Sequence, residues 1–263
     1  MIIGFDNEIW QRKGVKVPIN IELGKDAHVH LLFAGQTGSA KSCTALQCAY
    51  RVLDTGEGRI FFADYKGGSE YRLLDGSRNY ALGDDAIGMI IDFFDFYQTL
   101  RKNKVYLKNC NIIYIEEYFG LLSYVENTQS KKVRTELIAK VSELLSVSRG
   151  FSCGVWTLQQ RAGAEFYASG SRDNFTVVVH MARISKESRG ILFPSEEIKE
   201  TNLPPGQGLI LISGQQQGVR EFISPYIINQ DEMVRGIRQH IDKQKTLTEL
   251  IKAVAEGNRL DQL

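Results

Sequence analysis

Short apolar runs alternate with longer mixed segments along most of the chain. Val29–Ala34, Arg59–Ala63, Ile112–Ile115, Cys153–Leu158, Val177–His180 and Gly208–Ile212 are mostly rich in Val, Ile, Leu or Phe. Each has the length of a strand, about 4–6 residues, and such continuous apolar runs predict strands buried on both faces. Between them, Lys41–Leu53, Ala86–Asn103 and Lys131–Arg149 predict helices. Ile87, Ile90, Ile91, Phe94 and Tyr97 fall close to helical spacing in the second, as do Val133, Leu137, Val141, Leu144 and Leu145 in the third. The stretch Gln230–Leu263 reads as helical with a break near Lys243–Thr246, and Leu247, Leu250, Ile251 and Val254 give it one apolar stripe. Strands alternating with helices specify an α/β fold with a mostly parallel central sheet and helices on both faces. Pro204-Pro205-Gly206 marks a turn, and Gly214–Gly218 predicts a hairpin loop into an edge strand at Arg220–Ile223. Gly67–Asp75, Tyr124–Ser130 and Gly163–Arg172 are polar and read as loops.

Composition adds bounds. The 263 residues suffice for one large α/β domain with a helical appendage, which we divide as residues 1–229 and 230–263. No apolar run approaches the roughly 18 residues that span a bilayer, and Met1–Asp6 lacks the layout of a signal peptide. The expectation is a cytoplasmic chain, brought to a membrane only by a partner. Cys43, Cys48, Cys110 and Cys153 show no C-x-x-C spacing, so neither a disulfide nor a zinc site is expected. The net charge of +1 neither demands nor excludes nucleic acid.

The chemistry begins where an apolar strand runs into Gly35-Gln36-Thr37-Gly38-Ser39-Ala40-Lys41-Ser42 and on to Cys43 at the start of a helix. This is the phosphate-binding pattern G-x-x-x-x-G-K-[ST] with Ala40 in place of its second glycine. In that pattern, backbone N–H groups at a helix N-terminus surround phosphate, Lys41 reaches the outer phosphates, and Ser42 holds Mg²⁺ through its hydroxyl. Ala40 carries a Cβ and is readily tolerated only where φ is negative. Downstream, Asn111-Ile-Ile-Tyr-Ile-Glu116-Glu117 is an apolar strand ending in two acids, a Walker-B layout. Glu116 takes the metal-binding position normally held by Asp, and Glu117 is the candidate catalytic base. Trp156-Thr-Leu-Gln-Gln160-Arg161 is a third apolar strand with a polar end, where Gln160 is placed to report the γ-phosphate.

Taken together, these stretches resemble the motor domain of the FtsK/SpoIIIE DNA translocases, a RecA-like P-loop NTPase family. The family's Asp-Pro-Lys motif is similar to Asp64-Tyr65-Lys66, and its Ala-Thr-Gln-Arg-Pro motif to Leu158-Gln-Gln160-Arg161-Ala162. Its Ser-Lys-x-x-Ser-Arg segment is similar to Ser185-Lys-Glu-Ser-Arg189, one residue shorter, and its Gly-rich step to Leu203–Leu209. Coverage runs from about Val17 to Ile228, without the transmembrane region or winged-helix module of the large translocases, so the expectation is a bare motor of a conjugation or mobile-element type. The resemblance implies ATP with Mg²⁺, a homo-oligomeric ring taken as a hexamer, double-stranded DNA as the track, and membrane-associated or relaxase partner proteins. It also implies an arginine given to the neighbouring subunit's site, with Arg189 the match and Arg183 the second choice, whereas Arg149 reads as a helix-end cation. DNA contacts are expected from the Gly163–Arg172 loop and from Lys131, Lys132 and Arg134. Ala40, Tyr65, Glu116 and Ala162 depart from the family pattern. The alternatives are an ATPase of the same superfamily that moves protein through a secretion channel, and a nucleotide-binding scaffold with weak hydrolysis.

Overall fold

The apolar runs become the middle of a wide sheet, seen in a computed structural model that describes residues 1–24, 26–161, 163–168, 170–198 and 202–257. In chain order the elements are β1 (Ile2–Asp6), α1 (Asn7–Lys13), β2 (Pro18–Asn20), β3 (Leu31–Ala34), α2 (Lys41–Asp54), β4 (Gly58–Asp64), β5 (Tyr80–Leu82) and α3 (Asp85–Asn103). They continue as β6 (Cys110–Glu116), α4 (Tyr118–Thr128), α5 (Lys131–Val147), β7 (Cys153–Gln159), β8 (Val177–Met181), α6 (Lys186–Leu192), β9 (Gln207–Ile212), β10 (Arg220–Ile223), α7 (Gln230–Lys243) and α8 (Leu247–Ala255). Ala162 and residues 258–263 of the C-terminal stretch lie outside the described residues, as does Ser169 of the 163–172 loop.

Sheet order is β2-β1-β10-β9-β8-β3-β7-β6-β4-β5. From β8 to β5 the neighbours are parallel, and from β8 outward through β9, β10, β1 and β2 they are antiparallel. The strand period of two sends alternate side chains to opposite layers. Leu31 and Phe33 of β3 face α2 and α7, while Leu32 and Ala34 face the layer of α3, α4, α5 and α8. β4 and β6 divide in the same way, with Phe61 and Ile113 on one side and Phe62 and Tyr114 on the other. The parallel centre is therefore apolar on both faces.

Three sequence readings change. Residues 124–128 belong to α4 rather than to a loop, and Ser130 caps the next helix through a bond from Val133 N to its Oγ at 3.2 Å. The Arg220–Ile223 strand is not an edge, because β1 pairs with its outer side. The N-terminal residues, which had no predicted structure, supply two of the four antiparallel strands. Within the loop read at 67–75, Ser69–Leu74 form a 3-10 turn. The C-terminal segment breaks between Lys243 and Leu247, as its sequence indicates, and its two helices pack on opposite layers. Val234, Ile237 and Ile241 of α7 join the core beside α2, and Leu247, Leu250 and Val254 of α8 join the core beside α3. Among the described residues, no helix is long and apolar enough to cross a membrane.

Candidate nucleotide site

β3 ends in the centre of the parallel strands, and the loop that follows curls over their C-terminal edge, where open α/β sheets bind ligands. Gly35 has φ 149°, and a Cβ there would stand 2.8 Å from Ser39 Oγ and 3.0 Å from Met181 O. Gly35 N donates to Gln159 O at 3.2 Å and Ser39 N to Gln36 O at 3.2 Å, which fixes both ends of the curl. Gly206, from the Pro-Pro-Gly turn, donates its N–H to Ser39 O at 3.2 Å and braces the loop from outside. Ala40 caps α2 with φ 69° and ψ 20°. This corrects the condition set by the sequence: the residue in the glycine position adopts the left-handed conformation despite its Cβ, at a cost of about 1–2 kcal/mol.

Lys41 and Ser42 open α2 and face the two acids. Lys41 Nζ lies 3.8 Å from Glu117 Oε2, with both side chains buried. Ser42 Oγ donates to Glu116 Oε1 at 3.0 Å, and Tyr71 OH donates to the other carboxylate oxygen at 2.7 Å. Glu116 is fully buried. Desolvation pushes its carboxyl up to about 7, against the charge of Lys41 and the bonds from Tyr71 and Ser42, and Asp64 adds to the rise. Glu117 caps α4 in the left-handed conformation, φ 50°, and its Oε2 has no hydrogen-bond partner. Asp64, at the end of β4, accepts from Gly67 N at 2.9 Å and Tyr80 OH at 2.7 Å, and burial raises its pKa.

Of these groups Lys41, Ser42 and Glu117 border a cleft of about 500 Å³, while Glu116, Tyr71 and Asp64 are buried behind it. Gln36, Thr37, Gly38, Ala40, Lys41, Ser42 and Cys43 line it from the loop, Glu117 from the end of β6, Lys66, Ser69, Glu70 and Arg72 from the segment after β4, and Gln230 and Asp231 from the start of α7. Ser42 Oγ and Glu116 Oε1 are hard oxygen donors side by side, a donor set that suits Mg²⁺ held by one carboxylate, one hydroxyl and ligand phosphates. Among the described residues no group of three or more His, Cys, Asp or Glu could hold a metal alone.

Other sequence candidates lie elsewhere. Gln160 follows the end of β7, is exposed, and does not line the cleft. Its neighbour Gln159 is the buried one: its Oε1 accepts from Tyr167 OH at 3.2 Å, and its Nε2 has no partner. Arg189 sits on α6 with Nη1 donating to Ile198 O at 2.7 Å, whereas Arg183 is exposed. Arg134 pairs with Glu126 at 3.2 Å and Lys132 with Glu136 at 3.9 Å, leaving Lys131 exposed at the start of α5. The sequence did not single out Glu70, Arg72, Gln230 or Asp231, whose place at the cleft is created only by folding, nor Tyr71, which is buried behind it on Glu116.

No family model matches the chain, and no curated protein does. Solved structures match it well. Over 95% of this chain the fold is similar to the cytoplasmic domain of the Thermomonospora curvata type VII secretion ATPase EccC, with a TM-score of 0.66 and 15% identity. The pCW3 conjugation coupling protein TcpA, in a monomer form with ATPγS, matches over 84% with a TM-score of 0.59 and 18% identity. ATPases 2 and 3 of EssC from Geobacillus thermodenitrificans match over 96%, with a TM-score of 0.58 and 12% identity. This chain spans 32% of the EccC chain, 67% of the TcpA chain and 49% of the EssC chain. The fold is that of the RecA-like P-loop ATPases.

Proposed function

We propose that the chain is an ATP-hydrolysing motor of the FtsK/SpoIIIE kind that assembles as a ring and moves double-stranded DNA. The observation that carries the ATPase reading is the pairing of Ser42 with Glu116 and of Lys41 with Glu117 where the glycine-rich loop enters α2. The loop N–H groups and Lys41 bind and orient the phosphates. Ser42 and Glu116 would hold Mg²⁺, which would supply charge neutralisation at the phosphate oxygens. Glu117, whose buried Oε2 has no hydrogen-bond partner, orients a water and takes its proton. Arg189 remains the candidate for the neighbouring subunit's site, which requires it to leave Ile198 O on ring assembly.

DNA is the preferred track because the motif order of the chain resembles DNA translocases over most of its length. A second reading, transport of protein, has its own support: the EccC domain is a secretion ATPase and fits 95% of this chain. The deciding experiment is ATP hydrolysis with and without linear duplex DNA. DNA-stimulated turnover that falls about 10²-fold or more in Glu117→Gln, and is lost in Lys41→Ala, is expected. Turnover indifferent to both substitutions sinks the ATPase reading, and turnover indifferent to DNA but raised by a partner protein moves the track from DNA to protein.

A further inference from the structure

Behind the cleft lies a feature that neither the P-loop pattern nor the acid pair contains. Tyr71 is fully buried in the middle of the Ser69–Leu74 turn, where the polar sequence around it predicts only a loop. Its hydroxyl donates to Glu116 Oε2 at 2.7 Å and lies 2.7 Å from the hydroxyl of Tyr114. Tyr71 has one proton to give, and with the carboxylate taking it, Tyr114 must be the donor to Tyr71. A directed chain results: Tyr114 donates to Tyr71, Tyr71 donates to one oxygen of Glu116, and Ser42 donates to the other.

This chain answers the question raised by a glutamate at this strand end. Glutamate has one more rotatable bond than aspartate, so its carboxylate is less defined by the backbone alone. Here both oxygens are engaged, one by Ser42 of the phosphate loop and one by a tyrosine locked in the core. The same turn also contributes Ser69, Glu70 and Arg72 to the cleft, and Arg72 Nη2 is 2.7 Å from Asp231 Oδ2 at the start of α7. One short turn therefore touches both the ligand space and the carboxylate.

We propose that Tyr71 is a positioning residue for Mg²⁺: it fixes the carboxylate of Glu116 so that the longer acid performs the metal-holding role of an aspartate. The proposal rests on the nucleotide-binding reading above. Partners of this kind typically carry 10–100-fold of metal affinity.

The test is binding of a fluorescent ATP analogue titrated with MgCl₂ in wild type, Tyr71→Phe, Glu116→Asp and the double variant. Tyr71→Phe keeps the ring and removes only the hydroxyl. It is expected to leave Mg²⁺-free binding unchanged and to raise the Mg²⁺ needed for half-maximal tightening by about tenfold or more. In the Glu116→Asp background the shorter carboxylate cannot span Ser42 and Tyr71 together, so adding Tyr71→Phe is expected to change nothing further. Equal Mg²⁺ dependence in wild type and Tyr71→Phe overturns the proposal, as does a Tyr71→Phe loss of the same size in both backgrounds. Should Tyr71→Phe fail to fold, Tyr114→Phe, which removes the donor behind Tyr71, is expected to shift the Mg²⁺ dependence in the same direction, and no shift there overturns the proposal. Wild type that binds no nucleotide overturns the nucleotide-binding reading and this proposal together, whereas Mg²⁺-dependent binding untouched by Tyr71→Phe overturns only the proposal.

Discussion

Left-handed backbone at non-glycine residues is concentrated where the parallel strands end. Ala40 follows β3, Glu117 follows β6 and Ala182 follows β8, with φ of 69°, 50° and 60°. Such strain persists where surrounding structure over-determines it, and it collects at functional sites. Ala40→Gly removes it while adding freedom to the unfolded chain, so the two effects partly cancel. Stability in urea is expected to be equal or up to about 1 kcal/mol higher, and a clear drop in the midpoint would refute the reading. A second residue-scale consequence concerns acid. His30 is buried, accepts from Val155 N at 3.1 Å through Nδ1, and is held at about 3 by burial and by the charge of Arg149. His180 is held at about 4 by burial. Between these values and 6.5 the unfolded chain binds more protons than the folded one, so each histidine makes stability fall as pH drops below 6.5. Glu116 acts oppositely between 4.5 and about 7, because its raised pKa favours the protonated folded state. The slope of stability against pH in His30→Asn, whose amide oxygen can still accept from Val155 N, is expected to be shallower than in wild type, by up to about 1.4 kcal/mol per pH unit. An unchanged slope from pH 6 to 4.5 would show that His30 does not titrate with unfolding.

At the scale of elements, legibility follows how local the determinants are. The phosphate loop was readable because strand, glycines, Lys41 and Ser42 are contiguous, and Glu116 because an acid ends an unbroken apolar strand. Tyr71 was not, since its partners Tyr114 and Glu116 are 43 and 45 residues away and its own neighbours are polar. α4 escaped detection because Tyr118–Thr128 begins directly from the strand-end acids, carries Gly120, and ends in three polar residues, Glu126, Asn127 and Thr128. Its connection to α5 depends on Ser130, whose Oγ accepts from Val133 N. Ser130→Ala is expected to cost about 1 kcal/mol, measured by denaturant unfolding, and a loss below a few tenths would mean that helix packing alone sets the start of α5.

For the whole molecule, the sequence specified class and layering but not strand order, which depends on pairings far apart along the chain. β1 beside β10 and β3 between β7 and β8 leave no local signature. The C-terminal helices are likewise tied in by distant contacts: α7 packs on α2 and sends Gln230 and Asp231 to the cleft, while α8 packs on α3. Ile237 is fully buried in the layer beside α2. Ile237→Ala is expected to cost about 2–5 kcal/mol and, by loosening the start of α7, to weaken nucleotide binding. A loss of stability below about 1 kcal/mol would instead mark residues 230–257 as a detachable appendage.

The pairing of β1 with β10 also orders events during synthesis. β2 pairs with one edge of β1 within about 15 residues, but on the other edge Phe5 meets Ile223 and Asp6 meets Phe222, so that edge has no partner until more than 200 residues later. At about 5–20 residues per second, Ile2–Asp6 waits on the order of 10–40 s outside the ribosome with its sheet edge open. β10 joins the β1–β2 pair to β9, so a nascent chain stalled before residue 220 presents open edges of β1 and β9 to chaperones or to other copies of itself.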